Sequence, residues 1–289
     1  MDKDRVTVLI SCQDQKGIIA NVSNWFYERG LNILHCQQYA SKDESPIFFM
    51  RIEADMSESK LDKVEIEEQF CVFASNMKLS YKLFYASVKQ RLAILVSKTS
   101  HCLYELLSRY EENDLICDIA MIIGNHDSLS DVAKKFNIPF YYMPIINGEK
   151  EKQEERIIKL LQENNIDLVV LARYMQILTP TFINAFRNRI INIHHGFLPA
   201  FQGANPYKQA YERGVKMIGA TAHYASEDLD QGPIIEQDVV RVNHEQGPSL
   251  LKDMGKDVEK RTLLSAVRAH IEHRVIVYKN KTVVFSKES

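Results

Sequence analysis

Residues 167–199, DLVVLARYMQILTPTFINAFRNRIINIHHGFLP, decide the fold. Two unbroken apolar runs, 167–173 and 189–194, flank a helical segment over 180–187. A run that is apolar at every position, not at alternate ones, is buried on both faces, which is the pattern of a parallel strand. The same texture extends upstream. Runs at 91–97 (RLAILVS), 118–124 (DIAMIIG) and 139–145 (PFYYMPI) are separated by expected helices over 101–112, 128–136 and 149–164. Strands alternating with helices mean an α/β unit, Rossmann-like, with a mostly parallel sheet covered on both sides. Downstream, 217–226 and 233–242 read as two more strands. A long helix starts near Pro248, and the hairpin RVIVYKNKTVVFS ends the chain.

Before residue 88 the texture differs. A strand (5–11), a helix (18–29), two strands (32–40 and 46–54), an acidic amphipathic helix (57–76) and a last strand (79–85) give a β-α-β-β-α-β order, the ferredoxin-like arrangement. The boundary falls near residues 86–90, giving expected domains of 1–86 and 87–289. No sequence period repeats and no tract is of low complexity.

Composition sets outer bounds. Of 289 residues, 45% are hydrophobic and 26% charged, with a net charge of −2, as in an ordinary globular protein. That balance excludes a basic platform for nucleic acid and leaves room for a small anionic ligand held by placed groups. Five cysteines without C-x-x-C spacing (Cys12, Cys36, Cys71, Cys102, Cys117) are expected to be reduced core thiols, which points to the cytoplasm. Neither a signal peptide nor a membrane span is expected. The phosphate loop G-x-x-x-x-G-K-[ST] and the dinucleotide motif G-x-G-x-x-G are both missing; Ser97-Lys-Thr-Ser-His101 follows the first strand of the second domain instead. Adjacent His194 and His195 at a strand end are expected to point to opposite sides and so not to chelate one metal.

The chemistry concentrates at Asn192-Ile-His194. Residues two apart on a strand share a face, and ligands of open α/β sheets bind at the strands' carboxyl ends. The alternative is a pair of polar residues satisfied by nearby backbone. A second cluster, Glu227-Asp-Leu-Asp230-Gln-Gly-Pro233, places three carboxylates in one short loop, where they repel unless opposed. The alternative there is a solvated acidic turn. Gly232 and Pro233 force a tight turn just after Asp230.

Together these segments resemble the formyltransferase family that uses 10-formyltetrahydrofolate. The resemblance rests on Ser97-Lys98…His101-Cys102-Leu103, Leu171-Ala-Arg-Tyr-Met-Gln-Ile-Leu178, Asn192-Ile-His-His…Phe-Leu-Pro-Ala-Phe-Gln-Gly203, Arg213-Gly-Val-Lys-Met-Ile-Gly-Ala-Thr-Ala-His-Tyr224 and Asp230-x-Gly-Pro-Ile-Ile-Glu-Gln237. One departure is Gly196, where the family usually has Ser. Residues 1–85 resemble an ACT domain, with Asp14-x-x-Gly17 at its ligand-binding turn. An ACT domain ahead of this fold is the arrangement of the family's hydrolytic members.

The resemblance implies hydrolysis of the formamide of 10-formyltetrahydrofolate, supplying formate for purine synthesis, with Asn192, His194 and Asp230 catalytic and with neither metal nor cofactor. It implies that Met175, Gln176, Ile177 and Leu178, together with the loop from Ala225 through Glu227 to Asp230, wrap the pterin, and that Gly203 also contacts substrate. The bland reading of 175–178 is a buried helix entry. His126, after the strand ending at Gly124, is a further expected contact or a plain loop histidine. An amino-acid effector at Asp14 and Gly17 and a homo-oligomer are expected, without nucleic acid or membrane partners. The alternative function is transfer of the formyl group to an amine acceptor. Against it, the loop at 97–101 lacks the glycines with which the ribonucleotide-formylating enzymes hold the acceptor phosphate. A third possibility is a non-catalytic amino-acid sensor.

Overall fold

The computed structural model describes residues 4–200 and 206–287, and these divide into two compact units. The first runs to Lys89 and also takes in His273–Ile276 and the chain from Val283; the second comprises Gln90–Glu272 and Val277–Thr282. The single cut expected near residues 86–90 does not anticipate this sharing of the last segment.

The first unit orders β1 (Arg5–Gln13), α1 (Ile18–Glu28), β2 (Asn32–Ala40), β3 (Ile47–Asp55), α2 (Lys63–Met77) and β4 (Ser80–Tyr85). The antiparallel sheet runs β2-β3-β1-β4. Val6, Val8 and Ile10 alternate onto one face and pack with Trp25, Phe26 and Phe70 from the helices. Trp25 and Phe70 meet edge to face at 4.8 Å. The helix expected from residue 57 begins only at Lys63. Asp62 caps it: its carboxylate accepts from Glu65 N, and the Glu65 carboxylate accepts from Asp62 N, a reciprocal capping box that fixes the start. The expectation that all five cysteines are buried fails for two: Cys36 on β2 and Cys71 on α2 are exposed, each on the outer side of its element.

The second unit begins with β5 (Arg91–Val96), α3 (His101–Glu111), β6 (Asp118–Gly124), α4 (Ser130–Lys135), β7 (Phe140–Tyr142), α5 (Lys150–Glu163), β8 (Leu168–Leu171), α6 (Pro180–Ala185) and β9 (Ile190–His194). It continues with α7 (Pro206–Arg213), β10 (Met217–Tyr224), β11 (Ile234–Arg241) and α8 (Pro248–Ile271). The hairpin β12 (Val275–Tyr278) and β13 (Lys281–Val284) follows. Seven strands run β11-β10-β9-β8-β5-β6-β7, parallel from β9 to β7, with β10 antiparallel to both neighbours. The order grows outward in both directions from β5 and β8, so the switch point lies between them, where α/β sheets open a crevice. β7 is shorter than its apolar run because it is an edge strand bounded by Pro139 and Pro144, which cannot donate to a ladder. The short helix α7 was not expected from the sequence. No helix among the described residues is long and apolar enough to cross a membrane.

Candidate active site

The cavity at this crevice has a volume of about 730 Å³. It is lined by residues following β5 (Thr99, His101) and β8 (Arg173 to Leu178), by Asn192 of β9 and His195 just after it, by the loop after β10 (Ala225 to Glu227, Leu229, Asp230), and by α7 and α8.

Strand register assembles its polar floor. β9 and β10 pair antiparallel with Asn192 opposite His223 and His194 opposite Thr221, so all four share one face. His223 Nδ1 lies 2.9 Å from Tyr224 O. A carbonyl only accepts, so Nδ1 carries a proton, and Nε2 faces the Asn192 amide nitrogen, 3.2 Å away, as its acceptor. The amide keeps a second N–H for a ligand. His194 Nδ1 is 3.1 Å from Asp230 Oδ2, and the same acceptor logic puts its proton on Nδ1. His194 Nε2 is buried without a hydrogen-bond partner among the described residues. His194 is not among the lining residues; it meets the cavity through Asp230.

Asp230 has φ +58°, a left-handed conformation that Asp and Asn tolerate best among residues with side chains. Burial alone would raise its pKa. The two imidazoles beside it, His194 at 3.1 Å and His223 at 3.6 Å, outweigh burial and hold the carboxyl well below the usual range. The turn is locked by Gly232, where a Cβ would sit 1.7 Å from Tyr224 O. The loop's other carboxylates are also opposed: Glu227 accepts from Asn184 Nδ2 at 3.0 Å and lies 3.6 Å from Arg187.

The 175–178 loop is tied at both ends. Ser97 Oγ accepts from Met175 N at 2.9 Å. Buried Glu154 accepts from the backbone N and the hydroxyl of Thr179, which caps α6. Between these anchors Met175 and Ile177 stay exposed, at 58% and 59%. Apolar side chains left in the open beside a polar floor suit a flat apolar ligand. Thr221 holds the turn after β9. Its hydroxyl accepts from Leu198 N and Gln237 Nε2, both at 3.0 Å, and donates to Gly196 O at 2.9 Å.

At the other end of the cavity stands a network that sequence reasoning missed. Buried Glu259 of α8 is bonded by Tyr207 OH at 2.6 Å and His101 Nε2 at 2.7 Å, with Arg173 Nε at 3.5 Å. Gly255 makes room for it, because a Cβ there would lie 2.1 Å from the Tyr207 ring. His101, Cys102 and Glu259 place ligand atoms within 4.8 Å of one another. The chemistry there opposes a cation: Arg173 already supplies positive charge, Glu259 is already bonded, and burial pushes the Cys102 thiol well above its usual pKa.

Of the residues expected at the site, Asn192, Asp230, Met175, Gln176, Ile177, Leu178, Ala225 and Glu227 line the cavity. His126 sits on the loop after β6 and is not among the lining residues. Gly203 lies outside the described residues. In the first unit, Asp14 is exposed, and Gly17, at φ +88°, starts α1 without a side-chain cap. His194 and His195 do not diverge as alternation would have it. β9 ends at His194, so His195 is free of the pleat, and the two ring centroids lie 5.4 Å apart.

Comparison with known proteins agrees with this architecture. A family model described as formyl transferase matches residues 90–267, and an ACT domain model matches residues 6–65. The class is therefore a formyl transferase domain preceded by an ACT domain. A formyltetrahydrofolate deformylase of Bacillus subtilis is 46% identical over 285 residues, 99% of this chain and 95% of the relative. The crystal structure of a formyltetrahydrofolate deformylase from Pseudomonas syringae pv. tomato matches with TM-score 0.95 at 41% identity, over 98% of this chain and 95% of the other. A glycinamide ribonucleotide transformylase from Symbiobacterium toebii matches with TM-score 0.66 at 27% identity, over 71% of this chain and 98% of its own. The chain belongs to the formyltetrahydrofolate deformylase family.

Proposed function

We propose that the protein hydrolyses 10-formyltetrahydrofolate to tetrahydrofolate and formate. The observation that carries this is the juxtaposition of Asn192, His223 and Asp230 on the floor of a cavity, with His194 joined to it through Asp230 and with Met175, Ile177 and Leu229 exposed on its rim. Water attacks the formyl carbon and the carbonyl oxygen becomes an oxyanion. The free amide N–H of Asn192 meets that charge, a stabilisation of roughly 3–4 kcal/mol in related acyl chemistry. Asp230 orients His194 through Nδ1, leaving Nε2 to move a proton, and polarises water at the cavity wall. The carbon–nitrogen bond then breaks and the folate nitrogen takes a proton.

Hydrolysis is favoured over transfer by the far end of the cavity. There the N-terminal turn of α3 already faces an anion of the protein's own, Glu259, bonded to His101. A phosphate-bearing acceptor would meet that carboxylate. We further propose that the first unit is regulatory. The uncapped N-terminus of α1 would take an amino acid's carboxylate and Asp14 its ammonium, in a homo-oligomer working in the cytoplasm without a cofactor. The test is incubation of the purified protein with 10-formyltetrahydrofolate and no amine. Stoichiometric formate supports the proposal; formyl release only on adding an amine acceptor overturns it.

A further inference from the structure

Two imidazoles stand side by side at the end of β9, and only one of them lines the cavity. His194 donates Nδ1–H to Asp230 and is 5% exposed. His195 lines the cavity with Asn192, His223 and Asp230. Its ring lies 5.4 Å from that of His194 and 6.1 Å from that of Tyr207, between the two polar clusters. Its ring nitrogens make no hydrogen bond among the described residues.

The surroundings of the two rings are opposite in kind. His194 has a carboxylate on its ring. The carboxylates nearest His195 are already engaged, Asp230 by His194 and His223, Glu259 by His101, Tyr207 and Arg173. Burial, together with the Arg173 charge, pushes the His195 pKa down to about 4, so the ring is neutral at physiological pH. A neutral imidazole that faces the cavity with an unshared nitrogen lone pair can take a proton from a water bound there.

We infer that His195 is a further catalytic residue, the base that binds and deprotonates the attacking water. This rests on the hydrolytic reading above. The water O–H bond breaks and its proton passes to a His195 ring nitrogen, while the oxygen forms the new bond to the formyl carbon. On collapse the carbon–nitrogen bond breaks, and the nitrogen takes the proton that His195 received from the water. Formic acid leaves as formate and a proton. Asn192 holds the oxyanion throughout.

The test uses the full-length chain with His195→Ala and His195→Gln, following formate release without amine. His195→Ala should lower kcat about 100-fold, the scale of a lost general base, with KM changed less than about threefold. Added imidazole should restore turnover saturably to His195→Ala. It should not restore His195→Gln, whose side chain fills the space. Retention by either variant of more than about one fifth of the wild-type kcat overturns the assignment. So does a loss in His195→Ala that imidazole leaves unchanged while melting matches the wild type. If His195→Ala melts early, His195→Gln decides by its kcat alone. Failure of the wild type to release formate is a separate result, which overturns the hydrolytic reading itself.

Discussion

Gly232→Ala tests how the Asp230 turn is built. The added Cβ would sit 1.7 Å from Tyr224 O, 2.9 Å from Tyr224 C and 3.4 Å from His223 Nδ1. The first two neighbours are backbone of β10, which is paired on both sides and cannot give way. The loop must therefore move, from 1.7 Å to at least 3.0 Å, a displacement of about 1.3 Å. Asp230 is two residues away and moves with it, breaking its contacts with His194 and His223. A misplacement of about 1 Å at a reacting group costs on the order of 100-fold in rate, so kcat for formate release should fall by about that factor. Overpacking of this kind costs about 1–3 kcal/mol, and at about 2–4 °C per kcal/mol the melting temperature should drop by roughly 2–12 °C. Gly247→Ala is the control: its Cβ meets nothing within 4 Å, and stability should stay within about 0.5 kcal/mol of the wild type. The assays are formate release and thermal melting on both variants. Gly232→Ala with wild-type kcat would mean that the close approach of Gly232 to β10 does not position Asp230.

Other expectations follow from the same geometry. Thr221→Val keeps the shape but leaves Gly196 O, Leu198 N and Gln237 Nε2 without their shared partner. Gln237 Nε2 still donates to Leu198 O, so at about 1 kcal/mol or more for each of the two groups left unsatisfied, urea unfolding should show a loss of about 2 kcal/mol, and a loss below about 1 kcal/mol would refute the role given to Thr221. His195 carries a pH signature. The unfolded chain takes a proton there near pH 6.5 and the folded chain only near 4, so unfolding gains a proton and stability falls as pH drops through that window. Melting followed between those limits should slope more steeply for the wild type than for His195→Gln; parallel slopes would contradict it. In the first unit, Gly17 has φ +88° with Asn21 Nδ2 3.3 Å from its would-be Cβ, so Gly17→Val closes the turn at α1. Calorimetry with a panel of amino acids, glycine and methionine included, should show binding and altered turnover in the wild type and neither in Gly17→Val. No binding below about millimolar, on the affinity scale of a real effector, would leave this unit as an assembly domain.

Most elements were legible because burial on both faces leaves an unbroken apolar run. The strands of the parallel sheet sit within a residue or two of those runs, β7 apart. Short α7 escaped notice because Tyr207 and Ala210 are its only buried non-proline positions, too few to show a period. The start of α2 is set by a side-chain cap at Asp62, which an amphipathic pattern alone does not register. At the site, Asn192 and His194 were legible because polar residues on a buried strand face need a reason. His223 was visible only as part of a motif, since its partnership with Asn192 depends on the β9–β10 register. The His101–Glu259 bond joins residues 158 positions apart, and no local pattern links them. His195 was misplaced by assuming that strand alternation continues past the last paired residue.

The central claim is that the Asp230 charge, acting with His194, drives hydrolysis. Asn adopts a φ near +58° as readily as Asp, so Asp230→Asn removes the charge and keeps the turn. The decisive measurement is its kcat for formate release from 10-formyltetrahydrofolate without an amine. The account predicts a fall of at least about 100-fold, the contribution expected of acid–base machinery; formate release at the wild-type rate would contradict it.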